Sequence, residues 1–301
     1  MWQADGKWGL IATPIKSTSV AAWAGLAWCF IGAPCVQDAS AGEVCHFTGT
    51  TDYDGKVDVT TKVNAAGDTT SVDVVVVFSA STMPWFPLHY LVEERSTWRG
   101  GALDDLAANT RYSIGAHIVR QQWDYFRRGP DGLRAYRVQG KTGEKFEHQY
   151  PGFARHWSVA AFGEPWLRDY QAASPDRRTD LDLGREALSP HLRTPFAMAF
   201  YWVRWLRHGG TEADVFLPGF KTDKLVHLSI ASGAAQRGIS WYAPLHYVAL
   251  SESPPSSATA IITQDGHLAR LAFELHGSAG SAHGLIRQQD CEGAPVLPTG
   301  K

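Results

Sequence analysis

The feature that most constrains this sequence is a succession of strand-length segments in which apolar and polar residues alternate. Residues 267–276 show the pattern most clearly, because after His267 one face carries only apolar residues and the other is mostly polar. The first face has Ala269, Leu271, Phe273 and Leu275, and the second has Leu268, Arg270, Ala272, Glu274 and His276. A period of two places these sets on opposite sides of a strand. One apolar and one polar face are typical of an antiparallel sheet.

Further segments have a strand-like composition, and turn signals separate several of them. They are residues 69–80, 87–101, 115–129, 133–141, 223–231, 239–250, 257–264, 265–277 and 281–291. The sequence Gly-Pro-Asp-Gly at 129–132 predicts a turn, so residues 116–140 are expected to form a hairpin. The sequence Thr-Gln-Asp-Gly at 263–266 predicts the turn of a later hairpin. The first half of the chain, 45–141, is expected to supply the other strands.

Two segments depart from this pattern. Residues 156–190 are irregular, with short helical pieces, and the wider segment 142–190 is predicted to be an insertion or lid. Residues 194–208 are predicted to form a helix, since Thr194 is a capping residue, Pro195 suits the first turn and Gly209 ends it. Its middle is apolar nearly all round, so the helix should be buried.

These elements predict a mainly β fold. We expect a single strongly curved antiparallel sheet, or half-barrel, with the helix 194–208 buried against its concave side and an irregular, partly helical insertion. The alternative is a plain core helix in an α+β domain. The sequence alone does not distinguish this fold from the curved sheet.

The N-terminus has the three parts of a secretory signal peptide. Residues 20–31, VAAWAGLAWCFI, carry no charge and are too short to cross a bilayer. Lys7 and Lys16 precede them, and the small-x-small sequence Ala39-Ser40-Ala41 follows. We therefore predict a signal peptide over 1–41, a single β-rich domain over 42–301, and a periplasmic or secreted mature protein. The alternatives are an N-terminal membrane anchor and a start codon assigned upstream of the true one.

Cleavage after Ala41 leaves two of the four cysteines. Cys29 and Cys35 leave with the signal peptide, while Cys45 and Cys291 remain near the two ends of the mature chain. Cysteines in an exported chain with an even number of them are usually paired. We predict a Cys45–Cys291 disulfide that joins the first and last strands, the alternative being two free thiols.

One order of elements resembles a known family. It reads TPFAMAFYWVRWL, then VFLPGF-KTDKLVHLSIA, then TAIITQDGHLARLAFELHG. This order is similar to that of uncharacterised proteobacterial secreted proteins that resemble the periplasmic lipoprotein-carrier superfamily, which includes LolA and LppX. The resemblance covers 194–291 and implies a half-barrel of antiparallel strands curved around a helix and closing over an apolar cavity. The segment 142–190 has no counterpart in it.

Charge and motifs exclude several functions. A net charge of −2 and a pI near 6.6 give no basic face for nucleic acid. The sequence has no HxH, HExxH or CxxC motif, so neither a metal nor another cofactor is predicted. Single histidines such as His89, His227 and His246 are interpreted as structural or surface residues. No nucleophile elbow, P-loop or dinucleotide fingerprint occurs.

Carboxylates in two strands are the candidate catalytic groups. Glu94 lies in YLVEERSTW and Asp124 in RQQWDYF, and with Arg120 and Arg137 they would form a polar cluster. A carboxylate in an apolar wall has a raised pKa and can transfer protons on a buried ligand. We prefer the plainer interpretation, in which these residues form an ion-pair network on the outer face of the sheet.

Aromatic residues are the candidate ligand-binding groups. The chain has 12 Trp, most of them after residue 41. The predicted ligand-binding set is Trp98, Trp123, Trp157, Trp166, Phe200, Trp202 and Trp205. Flat apolar rings suit a lipid-like or aromatic ligand in a cavity. Two alternatives are exposed rings that stack on the sugars of a cell-wall glycan, and ordinary core filling.

These observations favour a non-catalytic carrier or sensor of a hydrophobic molecule, held between the sheet and the helix 194–208. An envelope protein is a possible further partner. The alternatives are an enzyme that uses Glu94 or Asp124 as its acid or base, and an envelope scaffold without a ligand.

Overall fold

Strands make up most of the chain in a computed structural model. The model describes residues 41–52, 54–81, 87–129, 132–158, 162–182, 192–204, 212–217, 224–232, 243–249, 257–277 and 280–298. The predicted signal peptide therefore lies almost wholly outside the described residues. No helix within these ranges is long and apolar enough to cross a bilayer.

The first eight strands and the helices that interrupt them are separated mostly by short turns. The strands are β1 Ala41–Thr51, β2 Gly55–Ala66, β3 Thr69–Ser81, β4 Pro87–Arg99, β5 Ala102–Ile114, β6 His117–Gly129, β7 Gly132–Gln139 and β8 Arg178–Asp182. The helices between β7 and β8 are α1 Phe146–Gln149, α2 Pro151–Ser158 and α3 Glu164–Ala172, followed by a 3-10 turn at Pro175–Arg177.

The second half of the chain runs from the other edge of the sheet back to its centre. Its strands are β9 Leu192–Arg193, β10 Glu212–Leu217, β11 Lys224–Ser232, β12 Ala243–Ala249, β13 Ser257–Ile262, β14 Leu268–Gly277 and β15 Gly280–Gly293. Helix α4 Pro195–Phe200 lies between β9 and β10.

The fifteen strands that the described residues form belong to one sheet. Its order is β8-β7-β6-β5-β4-β3-β2-β1-β15-β14-β13-β12-β11-β10-β9. The described pairs are antiparallel except β9 with β10, which is parallel. Strands that follow one another along the chain are neighbours in the sheet, except β8 and β9, which form its two edges. The central pair β1–β15 joins distant parts of the chain. The predicted hairpin of 116–140 is present as β6–β7.

The sheet curves strongly around α4. Helix α4 contacts β3 and β4 and also β10, although these strands lie far apart in the sheet order. Strand β5 likewise contacts β9 at the far end of the order. Only a bent sheet brings such strands together, so the predicted curved sheet around a buried helix is confirmed. We call the face toward α4 the inner face and the opposite face the outer face.

Alternating side chains build the core on the inner face. On β2, Val57, Val59, Thr61 and Val63 are buried, while the residues that alternate with them are partly or fully exposed. Residues 121–126 of β6 are instead all buried. They are buried on both sides because a second aromatic cluster, formed with α2 and α3, covers the outer face there.

The two ends of the described chain meet at the centre of the sheet. Cys45 on β1 lies directly opposite Cys291 on β15, and the two form a disulfide across 246 positions of sequence. The predicted pairing of these cysteines is confirmed.

The predicted helix over 194–208 is too long at its C-terminal end. Helix α4 ends at Phe200, and a 3-10 turn follows, in which the Arg204 N–H donates to the Tyr201 carbonyl at 3.1 Å. This turn directs Arg204 to Glu43 on β1, with a distance of 2.8 Å between guanidinium and carboxylate. A buried ion pair thus accompanies the end of the α-helix, which the apolar pattern did not anticipate. Residues 205–210 lie outside the described residues.

The described residues of the segment 142–190 pack on the sheet. Helices α2 and α3 contribute Phe153, Trp157, Trp166 and Tyr170 to the aromatic cluster on the outer face. Residues 178–182 form β8, which pairs with β7 at the sheet edge. The sequence pattern did not predict this added strand.

Candidate functional site

A pocket of about 360 Å³ lies on the outer face, between α3 and the edge strands β7 and β8. Its lining combines aromatic, apolar and charged side chains. These are Tyr136, Glu164, Leu167, Tyr170, Gln171, Pro175, Arg178 and Asp180. Sites for small ligands are typically concave and apolar, with a few placed polar groups. This pocket is concave, but more of its surface is polar than apolar, and its apolar part comes mainly from the tyrosine rings and Leu167.

Two tyrosines form the aromatic wall of the pocket. Tyr136 on β7 and Tyr170 on α3 meet edge to face, with ring centroids 5.4 Å apart. Behind them, Trp166 stacks on Tyr170 at 5.7 Å and is fully buried. Residues four apart share one side of a helix, so α3 presents Trp166 and Tyr170 together. The rings are held in place by packing before any ligand arrives.

Arg178 supplies the positive charge of the pocket. Its Nη1 donates to the carbonyl of Gln171 at 2.8 Å, and its guanidinium lies over the Tyr170 ring at 5.5 Å from the centroid. Among the described residues, the buried Nε of Arg178 has no acceptor. A guanidinium that donates mainly to carbonyls keeps its charge available for an anion.

The acidic groups of the pocket are already engaged. The Tyr170 hydroxyl donates to Asp180. Burial, and next the hydrogen bond to this carboxylate, raise the pKa of Tyr170, so its hydroxyl stays protonated at neutral pH. Glu164 accepts a hydrogen bond from Arg127 at 2.7 Å. These contacts leave Arg178 as the group best placed to meet a ligand charge.

A smaller pocket of about 170 Å³ lies over β2, β3 and β4 on the outer face. Trp157 and Arg95 form one wall, with the Arg95 guanidinium 4.7 Å from the Trp157 ring centroid. Arg95 also donates to the Trp157 carbonyl at 2.5 Å. Because the Arg95 guanidinium is already bound to Trp157, this pocket offers fewer polar groups for a ligand than the larger one.

Glu94 lies on the inner face and is 3% exposed. It accepts hydrogen bonds from the Thr194 hydroxyl and from the Ala197 N–H, the latter at 2.9 Å. Burial raises the pKa of Glu94 to about 7, and the hydrogen bonds from α4 partly oppose that rise. The carboxylate therefore attaches the start of α4 to β4. The preferred interpretation of Glu94 as part of an outer ion-pair network is wrong.

Asp124 is also buried on the inner face, where it pairs with Arg137 at 2.7 Å and accepts from Gln122 at 2.7 Å. Register places Glu94, Ala108, Asp124 and Arg137 in one row across β4 to β7. Glu94 and Asp124 are two strands apart, which is about 10 Å at the usual strand spacing. The predicted cluster is thus divided, since Glu94 binds α4 while Asp124 binds Arg137.

The predicted ligand-binding aromatics fall in two separate layers. On the inner face, Trp98 meets Trp202 edge to face at 4.8 Å, and Phe200 lies 5.3 Å from Phe47. On the outer face, Trp123 meets Trp157 at 5.0 Å. Trp166 also belongs to the outer layer, and Trp205 lies outside the described residues. None of the described members of this set lines the larger pocket.

The larger pocket consists of residues that sequence reasoning missed. Tyr136 and Tyr170 were not singled out, and neither was Arg178. A helical stripe of Trp166 and Tyr170 was the available signal for one wall. The other wall depends on the pairing of β7 with β8, which no local pattern reveals.

Comparisons with known proteins support the fold and leave the function open. The structure is similar to a beta-barrel-like protein of domain of unknown function DUF1849 from Brucella abortus, with a TM-score of 0.52 and 9% sequence identity. The match covers 84% of this chain and 97% of that one. No family model matches the sequence, and no curated protein matches it. The similarity supports a β-barrel-like architecture, and the narrower resemblance to the lipoprotein-carrier superfamily stays a prediction.

Proposed function

We propose that this chain is a non-catalytic binding protein for a small aromatic or otherwise apolar molecule that carries an acidic group. The observation that carries the proposal is the larger pocket, in which a rigid tyrosine wall faces the Arg178 guanidinium. The pocket thus combines the apolar surface of the tyrosine rings with the positive charge of Arg178. We further propose that the mature protein works in the periplasm or after secretion, following removal of residues 1–41, beside other envelope proteins.

The site differs from the one that the aromatic pattern suggested. The described rings around α4 pack against one another, and Trp98 and Trp202 are each 1% exposed. Rings that already fill a core have no surface left for a ligand. The larger pocket, in contrast, has accessible volume beside partly exposed groups, so we place the ligand there.

Burial of the aromatic rings also argues against the alternative in which they stack on the sugars of a cell-wall glycan. Rings that stack on sugars must present a face to solvent, yet Trp123 and Trp166 are 2% and 0% exposed. An enzyme that uses Glu94 or Asp124 as its acid or base has less support than a binding protein. Both carboxylates are bound to neighbouring structural groups, and neither lines the larger pocket. Binding without chemistry is the function that the geometry supports best.

Two fluorescent probes with a common aromatic core test the proposal. Anilinonaphthalene sulfonate carries an acidic group, and phenylnaphthylamine lacks it. We expect the sulfonate to bind more tightly, and Arg178→Gln to weaken it about tenfold, as loss of a charge-assisted hydrogen bond predicts. The uncharged probe should respond little to the same substitution.

Arg177→Gln is the matched control, because Arg177 is the neighbouring arginine and does not line the pocket. Native mass spectrometry of the protein purified from its own envelope would then identify any natural ligand. Equal affinity for both probes, together with no effect of Arg178→Gln, would contradict the proposal. Purification without any bound small molecule would weigh against a carrier.

A further inference from the structure

We propose that Cys45, Cys291, His267 and Glu43 form a zinc site whenever the two cysteines are reduced. The cluster lies at the centre of the sheet, away from the ligand pocket, and does not depend on the proposed function. In the oxidised chain the sulfur atoms are bonded to each other. In the reduced chain they would become two thiolates beside an imidazole and a carboxylate.

The four side chains already bring their donor atoms together. One atom from each lies within 4.8 Å of the others. Glu43 Oε1 is 2.9 Å from His267 Nδ1 and 3.1 Å from Cys45 Sγ, and the latter two are 4.0 Å apart. Ligand atoms of a tetrahedral zinc ion lie about 3.3–3.8 Å apart, given the usual zinc–nitrogen and zinc–sulfur bond lengths. Small shifts would therefore complete the site.

The fold fixes the positions of these ligands. Glu43 and Cys45 are two residues apart on β1 and share its inner face, and Cys291 lies opposite Cys45 on β15. His267 ends the turn between β13 and β14, where its N–H donates to the Thr263 hydroxyl at 3.0 Å. A site built on paired strands and one tight turn is largely preorganised.

Groups around the cluster match the surroundings of known zinc sites. The carboxylate of Asp265 lies 3.8 Å from Nε2 of His267, the ring nitrogen that faces away from the cluster. Zinc-bound histidines usually donate that N–H to a carboxylate, a backbone carbonyl or water, and the carboxylate of Asp265 would have to move closer to accept it. Arg204 Nη1 donates to both carboxylate oxygens of Glu43 at 2.8 Å, and Oε2 also accepts from the Val296 N–H at 2.9 Å. These contacts hold the carboxylate while Oε1 faces the cluster.

Charge balance also favours zinc in this buried position. In the oxidised chain, the negative charge of Glu43 is matched by Arg204, which is 2% exposed. A zinc ion adds two positive charges, and two thiolates add two negative charges. The net charge of the buried cluster is therefore the same with the disulfide as with zinc, which avoids the cost of an unpaired buried charge.

The chemical change is a two-electron reduction followed by metal binding. A dithiol reductant attacks the Cys45–Cys291 bond, becomes a disulfide itself, and leaves two protonated thiols on the chain. Zinc then replaces the two thiol protons, which pass to solvent. A newly made chain that has not yet been oxidised reaches the second step directly. Either the sulfur–sulfur bond or the metal thus links β1 to β15.

Cobalt and zinc titration of the full chain tests the proposal. Cys29→Ser and Cys35→Ser are introduced first, so that only Cys45 and Cys291 can supply thiolates. After reduction with a phosphine and anaerobic desalting, we expect one Co²⁺ per chain, with thiolate-to-cobalt charge-transfer absorption and the visible bands of tetrahedral cobalt. Added zinc should displace the cobalt, and the oxidised protein should show neither signal.

His267→Gln should weaken zinc binding by at least about tenfold, the effect usually seen when support of a site is lost. His46→Gln is the matched control, because His46 follows Cys45 on β1 but is exposed. Circular dichroism checks the fold of each reduced variant. If reduction unfolds the chain, zinc must restore the signal.

Three results would overturn the proposal. The first is a reduced chain that binds no more cobalt than the oxidised one. The second is binding that survives replacement of Cys45 and Cys291 by serine. The third is an equal loss of affinity in His267→Gln and His46→Gln.

Discussion

Glu94 on β4 accepts a hydrogen bond of 2.9 Å from the backbone N–H of Ala197 in α4, and this contact joins residues 103 positions apart. The carboxylate is buried between the sheet and the start of the helix it holds. The Thr194 hydroxyl adds a second hydrogen bond to the same oxygen. A single side chain therefore determines where the buried helix begins against the sheet, and its protonation state affects the stability of the whole fold.

Acidification should stabilise the protein through Glu94. Burial raises the pKa of Glu94 from 4.5 to about 7, so the folded state holds a proton that the unfolded state has lost between these values. This contribution is complete below the unfolded pKa and disappears as the pH rises through about 7. The difference corresponds to about 3 kcal/mol in the free energy of unfolding. Urea denaturation from about pH 4 to pH 8 measures it.

Glu94→Gln should flatten this pH dependence, because the amide does not titrate. Burial also raises the pKa values of Asp73 and Asp105, so the difference between the variant and the wild type isolates Glu94. Glu93→Gln is the matched control, since Glu93 lies one position away on the outer face and binds Asn109. An unchanged slope in Glu94→Gln would contradict the assignment.

The buried Asp124–Arg137 pair should be costly to break on one side. Both side chains are at least nine-tenths buried, so Arg137→Leu leaves Asp124 without its 2.7 Å ion-pair partner. We expect a loss of about 3–5 kcal/mol in the free energy of unfolding, and a smaller loss when Asp124→Leu is added. A double-mutant cycle by chemical denaturation measures the coupling.

The Arg127–Glu164 pair provides the control for that cycle. Its side chains are 47% and 75% exposed, so its removal should cost no more than about 1 kcal/mol. Similar coupling energies for the two pairs would show that burial does not govern the strength of Asp124–Arg137.

Removal of the disulfide should destabilise the protein substantially in metal-free buffer. The bond closes a loop across 246 positions, for which chain entropy alone gives about 5 kcal/mol, although measured values often fall below this figure. Cys45→Ala with Cys291→Ala should therefore lower the denaturation midpoint, as measured in the presence of a chelator. Cys29→Ser with Cys35→Ser should leave it unchanged.

Export should remove the first 41 residues. We expect Gly42 as the first residue of the protein recovered from the periplasm or medium, since Ala39-Ser40-Ala41 matches the small-x-small site. N-terminal sequencing and intact mass measure this directly. Ala39→Asp with Ala41→Asp should block processing, whereas Ser40→Asp should have less effect. Retention of residues 1–41 in the mature protein would contradict a cleaved signal.

Period-two alternation was sufficient to predict the sheet and most of its later strands. The segment of β14 is an example, because one of its faces is apolar throughout and needs no partner to be recognised. Strand β5 was harder to identify. Nearly all residues of β5 are at least partly buried, so its two faces do not differ clearly in exposure. An irregularity at Thr97/Trp98 also shifts its register against β4, so a simple alternation is lost.

The site was less predictable than the fold, because its residues meet through long-range pairing. Tyr136 and Tyr170 come together only when α3 folds back over β7, and Arg178 joins them when β8 pairs with the sheet edge. The side of the sheet on which Glu94 lies was difficult to predict for the same reason. Neither side of β4 was identifiable as inner until the position of α4 was known.

The order of strands also has a consequence for biosynthesis. Strands β1 to β7 form a meander of consecutive hairpins, and β8 joins it after the helices, so this part of the sheet is complete once residue 182 has left the ribosome. One partner of β1 is β15, which is made almost a hundred residues later, so the hydrogen-bonding edge of β1 stays open during that interval. A chaperone that shields this edge until translation ends would protect the nascent chain from premature association.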